Sequence, residues 1–149
     1  MKKIALVYWS GSGNTEIMAQ AIQRGIENVG QSVDVFRVDS VDAEQIKQYD
    51  ALLLGCPAMG SEVLEESEFE PFFADIEDDL KEKQIGLFGS YGWGDGEWMR
   101  DWEKRIVKAG AHLFEDGLMV NEKPEAAQER ICEIYGGRFV KSQQNPLDK

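Results

Sequence analysis

Cysteine, histidine and basic residues are all scarce in this chain of 149 residues, and each shortage removes a class of function. Two cysteines, Cys56 and Cys132, give no disulfide framework, and neither has a metal-ligand companion at short spacing. His112 is the single histidine, which argues against a zinc site. No apolar run is long enough to cross a bilayer. The run after Lys2 and Lys3 is too short for a signal peptide, so a cytoplasmic location is expected. Lys and Arg number 16 against 28 Asp and Glu, a net charge of −12. That excess repels nucleic acid and anionic membranes, and favours partners with basic surfaces, although it also serves plain solubility. The chain contains no repeat, linker or low-complexity stretch. Its length and its 42% of hydrophobic residues suit one α/β domain with a full core.

Short apolar runs alternate with helical stripes along the whole chain. Ile4–Trp9, Ala51–Gly55 and Ile85–Ser90 are continuous apolar runs, as expected of strands buried on both faces. Val33–Val38 alternates and reads as a strand near a sheet edge; His112–Val120 is strand-like but interrupted by Glu115-Asp116-Gly117. Helical stripes follow at Ile17–Val29 (with Gly30 as a C-terminal cap), at Phe69, Phe72, Phe73, Ile76 and Leu80, and at Trp98, Trp102, Ile106 and Ala109 up to Gly110. Pro124 suits the first turn of a last helix carrying Ala127, Ile131 and Ile134. Five such units predict a doubly wound, five-stranded parallel sheet with helices on both faces. Ligands of such sheets sit at the carboxyl ends of the strands, so the loops at 10–15, 56–62 and 90–96 should converge.

The first loop, Ser10-Gly11-Ser12-Gly13-Asn14-Thr15, stands where a buried strand hands over to a helix. Backbone N–H groups, two Ser hydroxyls and a Thr hydroxyl at the positive end of a helix form an anion site, best suited to phosphate. The loop has no Lys or Arg, so its donors are neutral. A nucleoside-triphosphate loop requires Lys-Ser/Thr where this chain has Asn14-Thr15, and the dinucleotide fingerprint requires a small residue where it has Glu16. A terminal monophosphate such as that of FMN is left, with a ligand-free Gly/Ser loop as the bland alternative.

The other two loops are unusual in composition. In Cys56-Pro57-Ala58-Met59-Gly60-Ser61-Glu62, Gly60 tolerates positive φ, so the Met59–Gly60 peptide is expected to turn over at little steric cost. Met59 offers a polarizable side chain to an aromatic ring and Glu62 an acceptor to a ring N–H; taken alone, the segment also fits a plain turn. In Ser90-Tyr91-Gly92-Trp93-Gly94-Asp95-Gly96, glycines on both sides leave Trp93 unshielded, which predicts stacking on a flat ligand. Trp98 and Trp102 read as core.

Together, Ser10–Thr15, Ala58–Glu62 and Ser90–Gly96 resemble the flavodoxins, small electron carriers that contain FMN, and the spacing is similar to that of the short-chain type. The resemblance covers residues 1–141 as a single domain and leaves 142–149, with Pro146, as a polar tail. It implies FMN phosphate in the first loop and the isoalloxazine between the other two. Trp93 is then expected to stack on the outer face, Met59 to cover the inner side, Glu62 to accept from N3–H, the Gly60 carbonyl to turn towards N5 on reduction, and Asn121 to touch the ribityl side. Pro57 is a departure that stiffens the loop entry. The implied function is that of a low-potential one-electron shuttle between semiquinone and hydroquinone, a monomer serving basic-surfaced redox proteins. An acidic surface and an unneutralised phosphate both raise the cost of anionic reduced flavin. Two rivals share the architecture. An FMN-dependent reductase needs space over the ring that Trp93 blocks, and a receiver domain needs carboxylates where the chain has Tyr8-Trp9-Ser10.

Overall fold

The structure is a computed structural model that describes residues 3–144. Lys2 and the 145–149 end of the expected tail lie outside the described residues. The alternating pattern folds into one parallel sheet. Its centre is β1 (Ile4–Tyr8), β3 (Ala51–Gly55) and β4 (Gln84–Tyr91). Every residue of β1 and β3 is buried, which is why both read as unbroken apolar runs. Among the described residues β2 (Asp34–Arg37) pairs only with β1, bringing Arg37 opposite Tyr8 at the end of the ladder.

The expected fifth strand is two. β5 (His112–Leu113) pairs with the start of β4 and β6 (Leu118–Asn121) with its end, so six strands fill five positions. The break falls at Glu115-Asp116-Gly117, where the Gly117 N–H turns away to the Glu103 carboxylate, 2.6 Å away.

Successive strand residues face opposite layers, which divides the core in two. On one side Val7, Leu54 and Leu87 meet Phe69 and Phe73 of α3 (Phe69–Glu77) and Trp98, Trp102 and Ile106 of α4 (Glu97–Lys108). The α3 turns end before Leu80, which is buried beyond the helix. On the other side Leu6, Leu53 and Phe88 meet Met18 and Ile22 of α1 (Asn14–Asn28) and Tyr135 and Phe139 of α5 (Ala126–Gln144). Between β2 and β3 stand two unpredicted turns, a 3-10 turn at Val38–Ser40 and α2 (Ala43–Ile46), the latter closed by a capping box of Asp42 and Gln45; pieces this short carry no periodicity to detect.

Two expectations for α5 are corrected. Pro124 precedes the helix rather than entering its first turn, and α5 takes in the first three residues of the expected tail. Its buried stripe is Cys132, Tyr135, Phe139 and Val140, whereas Ile131 and Ile134 are about half exposed. Gly25 and Gly136 explain the choice: a Cβ at either would strike the backbone of the facing helix, so α1 and α5 touch along their glycines.

Candidate functional site

The carboxyl ends of β1, β3 and β4 lie at one end of the sheet, and the strand order reverses between β1 and β3. The three singled-out loops converge there.

The first loop is an arch held by its own hydroxyls. Ser10 Oγ accepts from the N–H groups of Gly13 (3.1 Å) and Glu16 (3.3 Å), and Ser12 Oγ accepts from that of Asn14 (3.4 Å). Each hydroxyl keeps its own proton to donate. Gly13, at φ 99, is the N-cap of α1, so the helix starts inside the loop. Thr15 is turned inward and buried: its Oγ1 accepts from the Ser90 N–H (3.3 Å) and lies 3.0 Å from Ser90 Oγ. It thus ties the first loop to the third. The sequence also gave no hint of Arg37, whose Nη1 donates to the Ser10 carbonyl from β2 at 3.3 Å.

The second loop is a tight hairpin. Met59 and Val63 exchange both backbone hydrogen bonds at 2.9 Å, leaving Gly60, Ser61 and Glu62 as its tip. This corrects the expectation that the Met59–Gly60 peptide turns over, because the Met59 carbonyl is held by the Val63 N–H. Among the described residues no donor reaches the Gly60 carbonyl, so the Gly60–Ser61 peptide is the free one. Gly60 sits at φ 50 as the turn requires, and Glu62 at φ 58, which a non-glycine residue adopts only under constraint.

The constraint on Glu62 is its carboxylate, which accepts the N–H groups of Asp95 (3.3 Å), Gly96 (3.3 Å) and Glu97 (3.1 Å) at the start of α4. A buried acid of the second loop therefore anchors the third. A Cβ on Gly94 would meet that carboxylate at 2.5 Å, which explains the glycine. Just beyond, the Glu65 carboxylate accepts the N–H groups of Ser67 (2.9 Å), Glu68 (2.8 Å) and Phe69 (2.8 Å) and the Ser67 hydroxyl. Burial pushes this acid up, but those bonds outweigh it and hold Glu65 below its ordinary 4.5. Cys56 is sealed beneath, its thiol pushed far up by burial, and takes no part in the cleft.

Trp93 is 70% exposed in the third loop, while its neighbours Tyr91 and Gly92 line the cleft. Asp95 pairs outward with Arg100 at 3.1 Å. The Asn121 amide is engaged with the carbonyls of Tyr91 and Gly92, both at 3.3 Å, so it braces the loop. The residues after it, Glu122 and Lys123, reach the cleft instead.

That cleft measures about 530 Å³. Of the expected residues, Gly11, Ser12, Asn14, Ala58, Met59, Ser90, Tyr91 and Gly92 line it. Gly60 and Ser61 line an adjoining recess that shares Met59. Ser10, Thr15, Glu62 and Gly96 are buried supports, while Gly13 and Gly94 shape turns. Trp9, Pro57, Glu122 and Lys123 complete the wall. Trp9 and Lys123 were detectable only by position, one residue before the first loop and two after the expected Asn121. The Trp9 indole N–H donates to Glu68 at 2.9 Å, joining the wall to the segment Glu65 orders.

Residues 6–135 match the family model described as flavodoxin. The flavodoxins of Clostridium beijerinckii and Megasphaera elsdenii are each 48% identical to the chain, over 91% and 93% of it and 97% and 99% of their own lengths. The chain belongs to the flavodoxin family. The solution structure of two-electron reduced Megasphaera elsdenii flavodoxin superposes with a TM-score of 0.84 at 46% identity, covering 93% of this chain and 98% of that one. As a flavodoxin it is an FMN-containing electron-transfer protein and not an enzyme, which sets aside the reductase and receiver readings. The residues fit the cofactor. A cleft of this volume suits a flavin mononucleotide, an arch of neutral donors stands at one end, and a large aromatic surface stands uncovered at its edge. Among the described residues no helix is long and apolar enough to cross a membrane.

Proposed function

We propose that this flavodoxin holds the FMN phosphate in the arch of Ser10–Thr15, with the ring system between the hairpin of Ala58–Glu62 and the loop of Ser90–Gly96, in a single domain that continues through α5. FMN supplies the one-electron chemistry, and the chain controls its surroundings. Ser10 and Ser12 donate their remaining O–H protons to the phosphate. Met59 covers one face of the ring and Trp93 the other, excluding water. Glu62 keeps lone pairs for a ring N–H beyond the three backbone donors it already accepts. The Gly60 carbonyl, free at the hairpin tip, would be the acceptor available to a ring N–H of the cofactor. Asn121 acts on the ribityl side indirectly, by bracing Tyr91 and Gly92.

The observation that carries this reading is the meeting of three unusual loops around one cleft, with neutral donors at one end and Trp93 at 70% exposure by its rim. Titrating FMN and riboflavin into apoprotein tests it. Ser12→Ala should weaken FMN by about 1 kcal/mol and leave riboflavin unchanged, since one donor to the phosphate is lost. Equal losses place the phosphate elsewhere.

We further propose a monomer of the cytoplasm whose partners present basic surfaces. Exposed Glu122 lines the cleft, and exposed Glu66, Glu68, Asp95 and Glu97 lie in or next to the loops that form it, in a chain of net charge −12. Stopped-flow electron transfer to a cationic partner should slow as salt rises. A rate that stays flat or increases would indicate an apolar docking surface.

A further inference from the structure

The phosphate arch contains no cation, yet one stands directly behind it. Among the described residues, Arg37 is the one basic side chain bonded to residues 10–15, through Nη1 and the Ser10 carbonyl at 3.3 Å. The ladder fixes its place: Arg37 ends β2 opposite Tyr8, the last residue of β1 before the arch. Its guanidinium lies 5.7 Å from the centre of the Tyr8 ring. The Tyr8 hydroxyl in turn donates to Glu16 in the first turn of α1 at 3.2 Å. On its outer side Arg37 Nε faces Asp39 at 3.6 Å, across a pair about half open to solvent.

These charges bear on the arch with opposite signs. A bound phosphate monoester brings about −1.5 to −2 of charge, next to Glu16 and on a chain that is already acidic. Glu16 opposes it, Arg37 favours it, and Asp39 cancels part of Arg37. The Ser10 carbonyl accepts from the guanidinium, while the N–H groups of Gly13, Asn14 and Glu16 donate to the Ser10 and Ser12 hydroxyls.

We infer that Arg37 is an electrostatic positioning residue for the FMN phosphate, acting from behind the Ser10 carbonyl, and that Asp39 attenuates it. The inference rests on the proposal that the arch holds the phosphate. It requires no direct contact between Arg37 and the ligand.

Fluorescence-quenching titrations of apoprotein with FMN and with riboflavin, at about 10 mM and about 500 mM salt, test it through binding alone. In low salt Arg37→Met should weaken FMN about tenfold and riboflavin less than twofold, and the FMN loss should shrink in high salt. Arg37→Lys, which keeps the charge and loses the planar fork, should recover most of the affinity. Asp39→Asn should tighten FMN about threefold in low salt, an outcome that loss of a merely structural ion pair does not produce. Asp39 is an exposed side chain, so this variant keeps the measurement open if Arg37→Met folds poorly. Equal weakening of both flavins by Arg37→Met, or no tightening by Asp39→Asn, overturns the inference. If wild-type apoprotein itself fails to prefer FMN over riboflavin, the phosphate assignment fails instead.

Discussion

Replacing Glu62 with Gln isolates the work of one carboxylate between two loops. Oε1 accepts the N–H groups of Gly96 and Glu97, at 3.3 and 3.1 Å, and Oε2 that of Asp95 at 3.3 Å. Glutamine has nearly the same volume and tolerates the φ of 58 as well as glutamate does, so backbone strain is unchanged. It brings only one oxygen. If that oxygen stays with Gly96 and Glu97, an amide NH₂ faces the N–H of Asp95; the reverse orientation sets it against two donors. Leaving one such donor unmet costs about 1–3 kcal/mol, and the surviving bonds lose their charge assistance. Relief from burying a charge returns part of this, for a net loss of about 2 kcal/mol. At about 2–4 °C per kcal/mol for a chain of this size, the apoprotein should melt about 4–8 °C lower. Calorimetry of apoprotein gives the number directly, with Glu66→Gln, an exposed neighbour, as the control. A fall of less than about 1 °C, or one matched by the control, would refute the claim that Glu62 anchors the third loop.

Three further outcomes follow from the same geometry. Gly60→Val puts a β-branched residue at φ 50 beside the free peptide; oxidised FMN should stay bound while the first one-electron midpoint potential moves negative and the gap to the second narrows, as the one-electron state loses about 1–3 kcal/mol in spectroelectrochemistry, and an unchanged separation would exclude the Gly60 carbonyl as the group that turns. Gly25→Ala drives a Cβ into the Glu133 carbonyl and should cost more than about 3 kcal/mol in urea unfolding, whereas Gly137→Ala, whose Cβ finds ordinary contact at 3.5 Å from Val29, should be neutral or stabilising. For Glu65, whose folded pKa lies below its ordinary 4.5, the stabilisation is fully present above that value and is lost as pH falls through the folded one. Glu65→Gln should therefore lower stability at pH 6, and its difference from wild type should shrink as pH falls below the ordinary value and through the folded one in urea titrations.

The sheet and the three loops were legible because they rest on signals that survive without tertiary information. Unbroken apolar runs mark β1 and β3, and runs of Gly and Ser mark the strand ends. What escaped depends on facts that lie across the fold. Ile131 and Ile134 sit at helical spacing as well as Cys132 and Tyr135 do, and only the glycine contact between α1 and α5 decides which stripe is buried. That the Met59 carbonyl is engaged could not be read locally, because its bond with the Val63 N–H spans a hairpin that no local pattern announces. Glu62 reads as an acceptor in sequence, but its three backbone donors come from more than thirty residues away. Arg37 sits in an ordinary alternating strand, and its position behind Ser10 follows only from the pairing of β2 with β1.

The split of the last strand position matters for a carrier that must diffuse freely. A long, straight outer strand offers unpaired N–H and C=O groups to another copy and invites open-ended association. Here that margin of the sheet is interrupted: β5 has two residues, β6 has four, and between them the Gly117 N–H is claimed by Glu103. The opposite margin, β2, is four residues long and carries Asp34 and Arg37 at its ends. Neither border presents a template long enough to recruit a second sheet. Both margins thus suit the proposed monomer, met by its partners one copy at a time.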